Sequence, residues 1–138
     1  MISPGYDYES VRNGDIFAGK EDVIRKFSYI DRLAERFPLS NTPIYLEFLK
    51  GKRKLPCSAW GSPTVNPMGW RSPCYLLADK HYPSFNELME ETDWDSYGPD
   101  KDERCADCMM HSGFEPSVVL GPGKQLRDIL RLAVWQMS

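Results

Sequence analysis

The stretch LPCSAWGSPTVNPMGWRSPCYLLADKHY, residues 55–82, decides how this chain is read. Up to Pro73 it is dense in proline, glycine, serine and tryptophan, which forbids a regular helix. It is also long for a connection with no structure of its own, and such segments are functional or organised by a bound group. Two cysteines punctuate it, Cys57 and Cys74. The run from Cys74 to Ala78 reads as a strand, Asp79 and Lys80 as a turn, and His81 and Tyr82 as a short return strand.

Working outward, the segments on either side read mostly as helix. Upstream, Val23, Phe27, Ile30, Leu33 or Ala34, and Phe37 recur at steps of three and four, which predicts one amphipathic helix over residues 20–37, ended by Pro38. A second helix is predicted from Thr42 as N-cap and Pro43 at the first helical position to Lys50, closed by Gly51 and apolar on most sides. The basic residues Lys50, Lys52, Arg53 and Lys54 read as a solvated cluster favoured by the negative end of that helix. Before residue 20 the chain reads as an extended segment with a Pro4-Gly5-Tyr6 turn, then a polar loop containing Asn13-Gly14. Downstream, Ser84 and Glu87 form a capping box for a helix running to about Met89. Eight acids against one lysine between Glu87 and Glu103 read as a solvated surface. Leu126, Ile129, Leu130 and Ala133 lie at helical spacing in an amphipathic helix over residues 124–137. The fold class expected is α+β, with no internal repeat.

Composition bounds the function classes. With 138 residues and 15.9 kDa the chain is one domain's worth of polypeptide, and its 41% hydrophobic and 27% charged content is that of a globular protein, not of a collagen-like, disordered or membrane-spanning chain. No apolar run approaches the ~20 residues a bilayer requires, so no transmembrane segment is expected. Seventeen Lys plus Arg against twenty Asp plus Glu give a net charge of -3, which offers nucleic acid no electrostatic footprint. The opening residues have neither a basic nor an apolar signal region, so a cytoplasmic, reducing compartment is expected. There, patterned thiols are more often metal ligands or redox groups than disulfides.

The four cysteines are Cys57, Cys74, Cys105 and Cys108. Cys105-Ala106-Asp107-Cys108 can curl two thiolates around one metal or one cluster corner, and alone it is open to three readings: a dithiol redox pair, half a zinc site, or half an iron-sulfur site. The acidic loop before it is unlike the strand that precedes a thioredoxin-type dithiol. Cys57 and Cys74 are too widely spaced for the second C-x2-4-C of a compact zinc site, and the spacing suits ligands drawn from distant loops around a larger cluster. His111, three positions after Cys108, is a further ligand candidate, although a histidine bonded to backbone at a helix end is commoner. His81 reads as plain surface and Glu115 as a paired structural acid. Trp60, Trp70, Trp94 and Tyr75 read as cover for a small metal-organised core, with a wall for an apolar substrate as the sharper alternative.

The pattern Cys57-x11-Gly69-x4-Cys74 ahead of a hairpin, with a later C-x2-C, resembles the auxiliary-cluster (SPASM or twitch) region of radical S-adenosylmethionine enzymes. More closely, MISPGYDYE, NTPIYLEFLKGKRKLPCSAWGSPTVNPMGWRSPCYLL, LMEETDWDSYG and CADCMMHSGFEPS are similar to the C-terminal part of the hopanoid-biosynthesis radical SAM proteins, the adenosylhopane synthases. The resemblance covers nearly the whole chain. It implies residues 1–40 as the tail of a radical SAM barrel, with one barrel-derived strand, and residues 41–138 as a Cys-rich C-terminal module.

It further implies a 4Fe-4S cluster held by Cys57, Cys74, Cys105 and Cys108, and substrate-side contacts at Pro4, Gly5 and Tyr6, near the end of a barrel strand. The activity implied for the full enzyme is addition of the 5'-deoxyadenosyl radical to the alkene of diploptene, a hopanoid lipid, at a cytoplasmic and membrane-peripheral location. The family's radical-generating C-x3-C-x2-C triplet is absent from these 138 residues. The chain therefore reads as a fragment or split product, inactive alone, that meets S-adenosylmethionine only with a barrel half carried by a separate chain. A second departure is Ser112, where the family carries a cysteine ahead of the Gly113-Phe114-Glu115 run. The other reading is a zinc-stabilised structural or interaction module without redox role.

Overall fold

A computed structural model describes residues 1–5, 19–120 and 126–137. The protein is α+β. Helices α1 (Lys20–Phe27), α2 (Ile30–Ala34) and α3 (Pro43–Leu49) come first. A three-stranded antiparallel sheet of β1 (Val65–Asn66), β2 (Gly69–Ser72) and β3 (Lys80–Tyr82), in that order, follows. Helices α4 (Phe85–Glu91), α5 (His111–Leu120) and α6 (Leu126–Met137) complete the chain.

The predicted single helix over 20–37 is two. The Ser28 hydroxyl donates to the Arg25 carbonyl at 2.8 Å, competing with the helical ladder, and the chain turns at Tyr29 before α2 starts. The break lets both Val23 and Ile30 reach the core while Phe37 stays exposed. Helix α3 begins as expected: the Thr42 hydroxyl accepts from the Tyr45 amide and Pro43 occupies the first turn. Gly51, at φ +70, follows it in the left-handed conformation that ends helices.

Tyr45, Phe48, Leu49, Phe114, Val118 and Met109 form one buried cluster with Val23 and Ile30, so the N-terminal helices and α5 clasp α3 between them. Phe48 and Phe114 stack at 4.5 Å, and the Tyr45 hydroxyl donates to the Met109 carbonyl at 2.8 Å. Residues 1–5 are unpaired in any ladder. Their docking comes from the Ile2 amide, which donates to Asn41 Oδ1 at 2.6 Å.

The sheet is displaced from its expected position. The strand is Gly69–Ser72, and the run from Cys74 to Ala78, expected to be a strand, holds a turn at residues 75–77. The Asn66-Pro67-Met68-Gly69 run makes the first reversal: the Met68 amide donates to Asn66 Oδ1, and Gly69 takes φ +124 with the Tyr82 carbonyl 2.5 Å from where a Cβ would lie. Trp70 then pairs with Val65 on one side and Tyr82 on the other. His81 is half-buried in β3, its Nε2 3.2 Å from Asn66 Nδ2, and so is not plain surface. The capping box at Ser84 and Glu87 is present, and α4 packs on β2 and β3 through Leu88.

Helix α5 contains two residues that read as breakers, Gly113 and Pro116. Helix α6 is oriented against expectation. Its Leu126, Ile129 and Leu130 face solvent, whereas Asp128 is buried and ion-paired with Arg53. Among the described residues no helix is long and apolar enough to cross a membrane.

Candidate metal centre

Three separate stretches bring the four thiols to one small cavity of about 30 Å³, walled by Tyr75, Leu76, Leu77, Met110 and Phe114 and almost without polar lining. Cys57 arrives on a loop that docks against α5. The Ser58 amide donates to the Gly113 carbonyl at 2.7 Å, and the 3-10 turn Ala59–Gly61 lies so near Pro116 that a Cβ on Gly61 would sit 2.7 Å from the proline ring. Gly113 itself leaves room for the ligand: a Cβ there would lie 2.9 Å from Cys57 Sγ.

Cys74 begins the turn that replaces the expected strand. The Ala78 amide bonds back to the Cys74 carbonyl at 2.9 Å, Ala78 takes φ 47, and the amides of Leu77 and Leu76 donate to the sulfur. A strand would have sent those amides to a ladder. Cys105 ends the 3-10 turn Glu103–Cys105, and the Cys108 amide donates to its carbonyl at 3.0 Å, curling the C-x2-C. Amides reach the other sulfurs as well: Ala59 to Cys57, Gly98 to Cys105, Met110 to Cys108. Each thiol thus has at least one N–H aimed at it, the arrangement that stabilises a thiolate.

Burial dominates their acidity. It pushes the Cys57 thiol up to about 11 and Cys108 to about 12, and raises Cys74 and Cys105 too, with the neighbouring sulfurs adding repulsion at Cys57, Cys105 and Cys108. In the metal-free protein the thiols are protonated at neutral pH, so a metal must displace protons to bind.

One arginine ties two of the cysteine loops. Arg104 donates to both oxygens of Asp79 at 2.7 and 2.9 Å and also to Asp102, joining the residue after the Cys74 turn to the turn bearing Cys105. Asp102 belongs to the acidic block, which is therefore not wholly a solvated surface. The basic cluster after α3 is likewise partly engaged: Lys50 pairs with Asp31 at 2.6 Å and Arg53 with Asp128.

His111 lies outside the cavity wall, at the start of α5, with Nδ1 3.2 Å from Ser3 Oγ. Ser112 lines the cavity beside the thiols. Pro4 is buried and Gly5 exposed, one and two residues from Ser3, while Tyr6 and the Asn13-Gly14 loop lie outside the described residues. Of the four aromatic residues singled out, Tyr75 lines the cavity. Trp70 packs edge-on against Phe85 and the Trp94 indole donates to the Met89 carbonyl, both away from it. Glu115 is a structural acid as read: it accepts from the Thr42 amide at 2.5 Å and from Asn41 Nδ2 at 3.1 Å. The residues missed were Gly61, Gly113 and Arg104. Only the glycine-proline richness around Cys57 hinted at the first.

Among the described residues no three His, Cys, Asp or Glu side chains form a ready single-ion site. All four cysteines line the one cavity. The fold and this cavity define a small α+β module that presents four thiols to a common apolar chamber. The chain matches, over residues 1–132, the family described as a domain of unknown function (DUF3463), and it belongs to that family. No curated protein and no solved structure matches it.

Proposed function

We propose that this chain is the auxiliary, cluster-holding C-terminal part of a radical S-adenosylmethionine enzyme of hopanoid biosynthesis, with Cys57, Cys74, Cys105 and Cys108 as ligands of a 4Fe-4S cluster. The observation that carries the reading is the lining of one apolar cavity by four thiols from three remote stretches of chain. The donor set fits the group: four sulfurs satisfy a cube in which every iron is protein-ligated, and the amide donors offset the negative charge it brings. Cys57 and Cys74 come from separate loops and not from a second close-spaced pair, which suits a cluster better than a compact zinc site. When bound, the cluster supplies one-electron storage.

The chain's own residues hold and shield it. Leu76, Leu77, Met110 and Phe114 exclude water, the amides of Leu76, Leu77, Ala59, Gly98 and Met110 orient the sulfurs, and Arg104 locks two of the ligand loops together. Radical generation falls to a barrel with the C-x3-C-x2-C triplet, on a partner chain or a preceding segment, and the hopanoid lipid is the substrate of that assembly.

The test is anaerobic reconstitution with iron and sulfide, followed by an absorption spectrum and metal analysis. A broad visible band with about four irons and four sulfides per chain is expected. Stoichiometric, colourless zinc would instead establish the structural-zinc module, and no metal at all would remove the site. Cys74→Ala is expected to abolish cluster uptake, so unchanged iron content in that variant removes Cys74 from the ligand set.

A further inference from the structure

The basic run after α3 and the one lysine of the acidic block, Lys101, meet in the fold. Lys50 is committed to Asp31 and Arg53 to Asp128, whereas Lys54 is exposed and makes no ion pair among the described residues. It lines a groove of about 280 Å³ between the start of α1, the loop after α3 and the turn over residues 98–101. Each of those segments contributes one lysine: Lys20, Lys54 and Lys101. Lys20 likewise makes no ion pair among the described residues, and Lys101 has a loose contact, 3.5 Å to the fully exposed Asp95, which water screens. The groove holds a single carboxylate, Asp100. It is thus a positive hollow on a chain of net charge -3.

The floor is apolar and belongs to the core. Phe48, Met109 and Phe114 line it, with Ile24 and Leu55 at the sides. Two glycines shape the walls. Gly51, at φ +70, would place a Cβ 3.0 Å from Ile24 Cδ1, and Gly98, at φ +136, turns the chain beside Cys57 while its carbonyl accepts from the Lys101 and Asp102 amides at 3.0 Å. A hollow with a floor of packed core is formed before any ligand arrives, which lowers the cost of binding.

Three ammonium groups gathered from separate segments repel one another, and an anion among them removes that cost. Low-dielectric walls strengthen the attraction. A bare inorganic anion would leave the apolar floor uncovered. The volume lies just under the roughly 300 to 1,000 Å³ of sites for drug-sized molecules, which suits a ring or short chain bearing one charged group.

We propose that this groove binds a small soluble organic anion, a phosphate or carboxylate on an aromatic or short aliphatic body, with Lys20, Lys54 and Lys101 taking the charge and Phe48, Met109 and Phe114 the body. Cys57, Cys108 and Phe114 line this groove and the thiol cavity alike, so the two sites share a wall. The proposal stands on the groove and is independent of the cluster.

It is tested by calorimetric titration of the full metal-free chain with 1-naphthyl phosphate, inorganic phosphate and 1-naphthol. Saturable binding of one 1-naphthyl phosphate per chain is expected, about tenfold or more tighter than either of the other two, and weakened as salt rises from about 0.05 to about 0.5 M. Lys54→Glu and, separately, Lys101→Glu are each expected to weaken it by about fivefold or more, with unchanged far-ultraviolet circular dichroism showing that both fold. Lys26→Glu, on α1 but outside the groove lining, leaves it unchanged. No saturable binding overturns the proposal, as does binding indifferent to both groove variants or no tighter than that of phosphate or 1-naphthol. Co-sedimentation with phosphatidic acid vesicles through the same lysines, without binding of the soluble phosphate, overturns it in favour of a membrane surface.

Discussion

At the scale of single residues, the space around each sulfur matters as much as the sulfur. Gly113→Ala places a methyl 2.9 Å from Cys57 Sγ, while alanine favours a helix by about 1 kcal/mol over glycine. The two effects act on different measurements. The metal-free variant is expected to melt within a few degrees of the parent, because a thiol at the end of a short side chain can turn away, while its iron content after reconstitution falls sharply. Equal loss in both would mean that Gly113 serves packing alone. Ala78, at φ 47, holds a left-handed conformation that costs an L-residue about 1 kcal/mol or more. Ala78→Gly is therefore expected to leave stability unchanged or raise it slightly in chemical denaturation, glycine's greater freedom in the unfolded chain offsetting part of the relief. Glu115 answers two donors, so Glu115→Ala strands the Thr42 amide and the Asn41 side chain and is expected to cost about 3 kcal/mol. Glu115→Gln, which keeps an acceptor oxygen, costs less; both are read by urea midpoint.

At the scale of elements, α5 and α6 show why a helix pattern is not an orientation. Helix α5 passed unrecognised because Gly113 and Pro116 weaken a helix in isolation, yet each is matched to a neighbour: Gly113 to Cys57, Pro116 to Gly61. The spacing of Leu126, Ile129 and Leu130 identifies helix α6, and in the fold that stripe faces solvent. Leu132 packs against the core, but the attachment is also ionic and so depends on pH. The Arg53 guanidinium, by hydrogen bonding first and charge second, holds the Asp128 carboxyl below its usual value of 3.8 against the opposing effect of burial. A folded-state pKa below the unfolded one contributes stability that is fully present above the unfolded value and is lost as pH falls through the folded one. Thermal midpoints are expected to hold from neutral pH down to about 4 as far as this pair is concerned, then drop. Asp128→Asn should show a lower midpoint at pH 7 and a shallower decline in acid. A variant that declines as steeply as the parent would place the acid sensitivity elsewhere.

At the scale of the whole molecule, one buried cluster joins α1, α2, α3 and α5, and the cavity lies against it through Phe114. A group bound there to four thiols ties the 57 loop, the 74 turn and the 105–108 turn to that core, so its binding energy becomes folding energy. The reconstituted protein is expected to melt well above the metal-free form, and a chelator or air oxidation should erase the difference; equal midpoints would mean that the loops are held by Arg104, Asp79 and the backbone contacts alone. Much of this was legible in the residues: the α+β class, the start of α3 at Thr42 and Pro43, the capping box at Ser84 and Glu87, and the structural role of Glu115. These are local chemistries, complete within a few positions or carried by residue type. The sheet was misplaced by a few residues because an Asn-Pro-Met-Gly reversal and a turn folded around a sulfur both depend on where Tyr82 and Cys74 end up. By itself the sequence determined that helices surround a glycine- and proline-rich, cysteine-bearing segment. Tertiary structure alone decided that those sulfurs share a chamber and that α6 shows its leucines to the outside, because the contacts responsible, such as Arg53 to Asp128 across 75 positions, join residues that no local period connects.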